Sequence, residues 1–353
     1  LLSLSKWSEL NDIERIGLPD HYIVGKQRHD KNDGTPALDL LTASAGLVRD
    51  TEKMVYSILV SPITFRHPSV LVKMASTIND MAKGRFRLGV GTGWLEIEHD
   101  LYAIPFPDLK TRFEMLEESL IYIREALSGN EIGFLGEYYP LEQFPVEPAT
   151  LQDIPIIIGG GGKLKTPTLA GKYSEEFNIY AGPKETLVNS ISLFKEVAAE
   201  NGRDVSTLEI TTACPPVVGL TKERVGESVT AAAKALAQTE EEIATTWKEE
   251  NYLYGTPDEV AATLSMWQEV GIEAVYLQLL SLEEDQRNET IEVIKQAFGS
   301  IPFEQLLREF MLYSTKEPWF FTEFSFLFTF GIFLFFYALL FTQNALRKIY
   351  LIA

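Results

Sequence analysis

Phe86-Arg87-Leu88-Gly89-Val90-Gly91-Thr92-Gly93-Trp94, together with the helix that follows it, decides how this chain is read. Phe86–Val90 is a short apolar run that breaks on Gly91-Thr92-Gly93-Trp94, passes an acidic turn and leads to an amphipathic stretch over 112–127. A buried strand that ends on glycines brings backbone close to something flat or anionic, because no Cβ holds the ligand away. Outward from this unit the same alternation continues. Strand-like runs fall at Ile13–Leu18, Met54–Val60, Ile154–Ile158, Glu176–Tyr180, Leu208–Ala213 and Glu273–Leu279. Helical stretches fall between them, at Pro36–Val48, Pro68–Met81, Lys163–Tyr173, Lys184–Asn201, Glu223–Ala237, Pro257–Val270 and Glu289–Phe298. Thr256-Pro257-Asp258-Glu259 supplies a cap, a first-turn proline and early acids, which together start a helix.

Strands that alternate with helices predict a parallel α/β sheet. A (β/α)8 barrel needs eight strands, seven are readable, and the eighth is expected upstream of Leu1. An open doubly wound sheet is the alternative. Against it, no GxGxxG opens a helix, and the glycine motifs lie on separate strands, as loops around a barrel mouth do. The predicted fold is therefore α/β, a TIM barrel over residues 1–302 lacking its first strand, followed by one C-terminal hydrophobic helix.

Composition narrows the function. The net charge of −19 on 353 residues argues against a nucleic-acid partner, which needs clustered positive charge. Cys214 is the only cysteine, so an intrachain disulfide and any multi-cysteine metal site are excluded, and its apolar setting marks it as a buried side chain. Four histidines without HExxH spacing give no metal signature.

Three strand ends carry candidate chemistry. Asp20-His21 follows Ile13–Leu18, and a histidine there suits proton transfer. Gly91, Thr92, Gly93 and Trp94 offer close backbone approach, a hydroxyl and an aromatic wall. Glu96, Glu98 and His99 follow as second-tier acids and bases in a loop. Gly159, Gly160, Gly161 and Gly162 run into a helix beside Lys163 and Lys165, and free amides at a helix N-terminus attract phosphate.

In their joint order Asp20-His21, Arg66-His67-Pro68, Gly91–Trp94 and Gly159–Gly162 resemble the luciferase-like monooxygenase superfamily, in particular its F420-dependent oxidoreductase branch, over nearly all of residues 1–300. The resemblance implies a deazaflavin (F420) cofactor, with FMN as the alternative, and hydride transfer to or from a small organic substrate. With FMN, monooxygenase chemistry is open. His21 would face the redox-active ring and Asp20 would orient it. The strand end at Val60-Ser61 would carry a bulge with a nonprolyl cis peptide behind the ring, with Ser61 and Thr64 hydrogen-bonding the cofactor. The glycine loop would hold the cofactor phosphate, and Glu176-Phe177-Asn178 would add packing and a polar contact. Relatives often form homodimers. His67 is read as a cap for the next helix.

Residues 303–353 differ in kind. Phe324–Phe341 is eighteen residues without a charge, eight of them Phe, long enough for a transmembrane helix. Residues 318–353 resemble the first span of a membrane-bound O-acyltransferase. The barrel is expected to be cytoplasmic, with the tail as its only link to a membrane. The competing expectations are a cofactor-free barrel that lacks a strand and a membrane-tethered protein without catalytic activity.

Overall fold

The strands are buried along most of their length, as parallel strands covered on both faces must be. All four residues of β1 (Arg15–Leu18) are buried, and so are the first three of β9 (Ile156–Gly159) and the first four of β10 (Glu176–Tyr180) and β14 (Ala274–Gln278). In this computed structural model, residues 1–11, 13–24, 35–128, 132–143, 153–279, 282–300 and 349–352 are described. Helix α1 (Leu2–Leu10) precedes β1. The hairpin β2 (Ile23–Val24) and β3 (Thr35–Pro36) follows, then α2 (Leu40–Asp50), β4 (Val55–Ile58) and the short β5 (Ser61–Pro62). Next come α3 (Pro68–Ala82), β6 (Phe86–Gly91), α4 (Glu96–Tyr102), α5 (Leu109–Leu127) and the hairpin β7 (Ile132–Phe134) and β8 (Leu141–Gln143).

After β9 the chain alternates through α6 (Lys165–Tyr173), β10, α7 (Lys184–Glu200) and β11 (Glu209–Cys214). An insertion then carries β12 (Val217–Val218), α8 (Lys222–Leu236), α9 (Glu240–Glu249) and β13 (Tyr254–Gly255). It packs its own small core of Val217, Val225, Val229, Ile243 and Trp247, and the Trp247 indole donates to the Pro215 carbonyl at 2.8 Å. Helix α10 (Pro257–Val270), β14, α11 (Glu284–Ser300) and β15 (Ile349–Ile352) complete the order.

Parallel pairing runs β1, β4, β6, β9, β10, β11, β14, β15 and back to β1, which closes an eight-stranded barrel. Each of the seven expected runs coincides with a strand, β6, β9 and β11 running one residue past the expected end. The eighth place, expected to belong to residues upstream of Leu1, is taken by Ile349–Ile352, which pairs with β14 at Val275↔Ile349 and with β1 at Arg15↔Tyr350. Among the described residues no helix is long and apolar enough to cross a membrane; Phe324–Phe341 lies outside them.

Helix boundaries follow their caps. The Asp39 carboxylate accepts the Thr42 amide at 2.8 Å, so α2 starts four residues after the expected Pro36, which is used in β3 instead. His67 caps α3 as expected, its ring nitrogen accepting the Ser69 amide at 3.2 Å, with Pro68 in the first turn. Thr239/Glu242 and Thr256/Glu259 form capping boxes at α9 and α10. The segment 96–102, read as a loop, is helix α4.

At the N-terminal end of the barrel four strands are tied by charge. The Arg15 guanidinium donates to Glu176 at 2.9 Å and Glu209 at 3.1 Å, and Arg87 reaches the same two carboxylates at 2.9 Å each. Tyr276 on β14 accepts from Arg15 at 3.2 Å and donates to Ser57 on β4 at 3.3 Å. Burial raises the Glu176 carboxyl, and the Arg15 guanidinium opposes that rise.

Candidate active site

The barrel mouth lies at the C-terminal ends of the strands, where β1, β4–β5, β6 and β9 deliver the sequence motifs. The chain crosses from β4 to β5 through a nonprolyl cis peptide at Leu59–Val60, within the expected strand end. β5 then pairs with β6 at Ser61↔Val90 and Pro62↔Gly91. The Val60 side chain sits among three glycines of neighbouring strands. A Cβ on Gly89 would lie 2.9 Å from it, on Gly91 2.8 Å and on Gly159 3.1 Å. Two glycine motifs of separate strands thus share one purpose, to admit the Val60 side chain at the mouth.

Asp20 and His21 part company. The Asp20 carboxylate is buried and accepts from the Ser61 hydroxyl at 2.7 Å and from Arg66. Arg66 also bonds Asp39 and lies 5.7 Å over the Tyr22 ring. His21 is instead held by Glu98, Nδ1 to Oε1 at 2.9 Å, while the second Glu98 oxygen accepts the Tyr22 amide at 3.0 Å. Glu98 is 1% exposed. As a carboxylate it accepts through both oxygens, so Nδ1 carries the proton and Nε2 is left for exchange with a ligand. Trp94 meets His21 edge-to-face at 5.9 Å between ring centroids and is half exposed.

Two expected roles change accordingly. Asp20 does not orient His21; it fixes the β5 turn through Ser61 and Arg66. Ser61 is fully buried, and its hydroxyl proton is given to Asp20, so the side chain does not reach outward to a cofactor. The orienting group is Glu98, which the sequence placed in the second tier.

Thr64, half buried, is bonded to His99 Nε2 at 2.7 Å, and His99 Nδ1 donates to the Leu95 carbonyl at 2.9 Å. His99 is fully buried between the rings of Phe65, at 5.1 Å, and Phe106, at 4.4 Å. Burial lowers its pKa below the usual 6.5, which keeps it neutral. Thr92 turns its hydroxyl to the Gly93 carbonyl at 3.4 Å.

On the far side, Gly159–Gly162 lead into α6. The Gly160 amide donates to the Asn178 carbonyl at 3.2 Å, and Gly160 has φ +144°, a conformation that side chains rarely adopt. A Cβ on Gly162 would come 2.3 Å from Thr166 Oγ1, and one on Gly161 3.0 Å from the half-exposed Tyr180 ring. In the first turn of α6 the Lys165 and Thr166 amides have no partner within the helix, and Pro167 has no N–H to leave unpaired. Lys163 is exposed, and Lys165 lies 5.0 Å over the Phe113 ring. Asn178 donates to Thr211 at 2.8 Å, linking the loop to the buried Glu176 through Thr211. Cys214 is buried as expected, its thiol pushed up to about 12 by burial. Among the described residues no group of acids, histidines or cysteines is arranged to hold a metal ion.

The sequence model of the family described as luciferase-like monooxygenase matches residues 12–274. An F420-dependent glucose-6-phosphate dehydrogenase of Nakamurella multipartita is 29% identical over 212 residues, 59% of this chain and 60% of that protein. Its namesake in Microbacterium testaceum is 31% identical over 183 residues, 52% of each. This chain thus spans between about half and three fifths of the length of these relatives. Among solved structures, an F420-dependent secondary alcohol dehydrogenase in complex with an F420–acetone adduct shares the fold at TM-score 0.69 and 20% identity, over 84% of this chain and 94% of that one. The coenzyme F420-dependent tetrahydromethanopterin reductase of Methanopyrus kandleri does so at 0.61 and 15%, over 82% and 92%.

Proposed function

The chain belongs to the luciferase-like monooxygenase family, and from that premise we propose that it is an F420-dependent oxidoreductase acting on a small organic substrate. The observation that carries this reading is the His21–Glu98 pair at a strand end of the barrel mouth, whose other strand ends include a glycine loop that opens a helix. The curated relatives that carry F420 in their names favour it over FMN.

The residues present fit such a cofactor. Gly160–Gly162 and the first turn of α6 would hold its phosphate, and Gly160 keeps a backbone conformation that a side chain would strain. Val60, seated among Gly89, Gly91 and Gly159, would back the ring, with Trp94 and Thr64 at its sides. When bound, F420 supplies hydride exchange with a carbon of the substrate. His21 Nε2 holds or accepts the proton at the substrate oxygen, and Glu98 keeps the ring turned and its Nδ1 protonated. Asp20 acts at one remove, by holding Ser61 and Arg66.

The test is a fluorescence titration of the full chain with F420 and with FMN, followed by turnover with F420 on a panel of alcohols and sugar phosphates. Binding of F420 that weakens in Gly160→Asp, with turnover lost in His21→Ala, supports the reading. Preference for FMN would move the chemistry toward oxygen and monooxygenation. Binding of neither would leave a cofactor-free barrel.

A further inference from the structure

One polar pair at the mouth has its hydrogens fixed by geometry. His99 Nδ1 lies 2.9 Å from the Leu95 carbonyl, which can only accept, so Nδ1 carries the proton. A neutral imidazole then offers Nε2 as an acceptor alone. The Thr64 hydroxyl at 2.7 Å must therefore be the donor. Its one hydrogen points back into the protein, and only lone pairs are left for the open side. The pair is well enclosed on the protein side: His99 is fully buried between Phe65 and Phe106, with Arg112 on α5 and Glu98 and Asp100 on its own helix as the charged groups around it. Gly93, on the next strand end, places no side chain beside Thr64, where a Cβ would touch its oxygen at 3.5 Å.

We propose that His99 is a positioning residue that locks the Thr64 hydroxyl as a hydrogen-bond acceptor toward the bound cofactor, so that Thr64 selects a ring edge presenting an N–H or O–H donor. This inference rests on the oxidoreductase reading for the identity of its ligand, but not for the polarity of Thr64. Glu98 and His99, adjacent on α4, divide the work: one sets the tautomer of the proton carrier, the other sets the polarity of a binding group. Burial that keeps His99 uncharged at neutral pH maintains the arrangement.

The first test needs no cofactor. Nitrogen-15 NMR of the histidine side chains in the free protein at neutral pH is expected to show His99 as the Nδ1–H tautomer with Nε2 accepting a hydrogen bond. An Nε2–H tautomer or an imidazolium overturns the proposal. The second test is F420 affinity in a double-mutant cycle. Thr64→Val is expected to weaken binding by about tenfold, the value of one hydrogen bond, and Thr64→Ser to stay near wild type. His99→Phe should lose a similar ~tenfold, whereas His99→Gln, which keeps an acceptor for Thr64, should keep most of the affinity. The Thr64→Val/His99→Phe double variant should be no weaker than either single. A multiplied loss of ~100-fold, or unchanged binding in Thr64→Val, overturns the coupling. A wild-type protein that binds neither F420 nor FMN sinks the oxidoreductase reading and the ligand half of this one; the NMR result still decides how Thr64 is polarised.

Discussion

At the scale of single residues, His21 and Asp20 show why adjacency in sequence misleads. The chain turns at Asp20, where the His21 amide donates to the Pro19 carbonyl at 3.1 Å, and the two side chains leave the turn for different partners. Asp20 goes inward to Ser61 and Arg66, and His21 outward to Glu98. That His21 is chemically placed was legible from its strand end; its partner was not, because the contact spans 77 positions. A signal existed nonetheless. Leu95, Glu98 and His99 share helical spacing, and all three are buried, so the two polar residues stand where apolar ones would be expected. His21→Ala is expected to reduce kcat with F420 by about 10²–10⁴-fold while leaving its affinity within a few-fold, as loss of an acid–base group does. Glu98→Gln should cost less, about tenfold in kcat, since the amide still accepts from one neighbour while the ring loses its anionic anchor. Steady-state kinetics beside the binding titration separates the two. Equal loss of affinity and turnover in His21→Ala would count against a proton-transfer role.

At the scale of elements, what was legible is what local physics dictates. Short, largely apolar runs marked all seven body strands, and Thr256-Pro257-Asp258-Glu259 marked the start of α10. Helix α4 was missed because seven residues give less than two full turns of periodicity, and its acidic composition reads as solvated loop. Helix α9 was missed although Thr239 and Glu242 write a capping box in the sequence, since the Thr239–Leu253 stretch carried no other signature. Gly91 and Gly159 were read as ligand contacts, yet together with Gly89 they first of all make room for Val60. Gly89 is the most constrained of them: its Cβ would fall 2.0 Å from the Ile58 carbonyl oxygen, a backbone atom of β4 that cannot step aside without moving the strand end. Gly89→Ala is therefore expected to destabilise the fold by about 1–3 kcal/mol, the usual cost of overpacking, and to weaken F420 binding in the fraction that folds. Denaturant unfolding and the F420 titration read the two effects. Gly46→Ala, at a helical glycine with nothing within 4 Å of the added Cβ, serves as the neutral control.

At the scale of the whole molecule, the barrel separates what holds it together from what it does. The eighth strand was not legible: parallel partners are set by distant chain, and Ile349-Tyr350-Leu351-Ile352 is too short a run to declare its neighbours. The charged end of the barrel was equally hidden, because Arg15, Arg87, Glu176 and Glu209 are isolated charges on four separate strands. Acid should find two weak points. Burial holds His67 and His99 below the usual 6.5, so the unfolded chain takes up their protons first, and the stability they contribute is lost as pH falls below about 6.5. The Arg224 guanidinium holds Glu289 below the ordinary 4.5, so its share is present above that value and is lost at lower pH. Melting temperature is thus expected to fall in two stages on acidification, the first shallower in His99→Gln. Glu176 runs against both, since its raised pKa makes the folded state the better proton binder above 4.5. Its removal is the sharper test of the division of labour. Glu176→Gln removes one of the two carboxylates shared by the buried Arg15 and the half-buried Arg87, and breaking such a cluster costs about 3–5 kcal/mol. Because the cluster sits at the end of the barrel away from the mouth, the folded variant should bind F420 with wild-type affinity. A stable Glu176→Gln protein with weakened F420 binding would mean that the chain through Thr211 and Asn178 carries its effect up to the glycine loop.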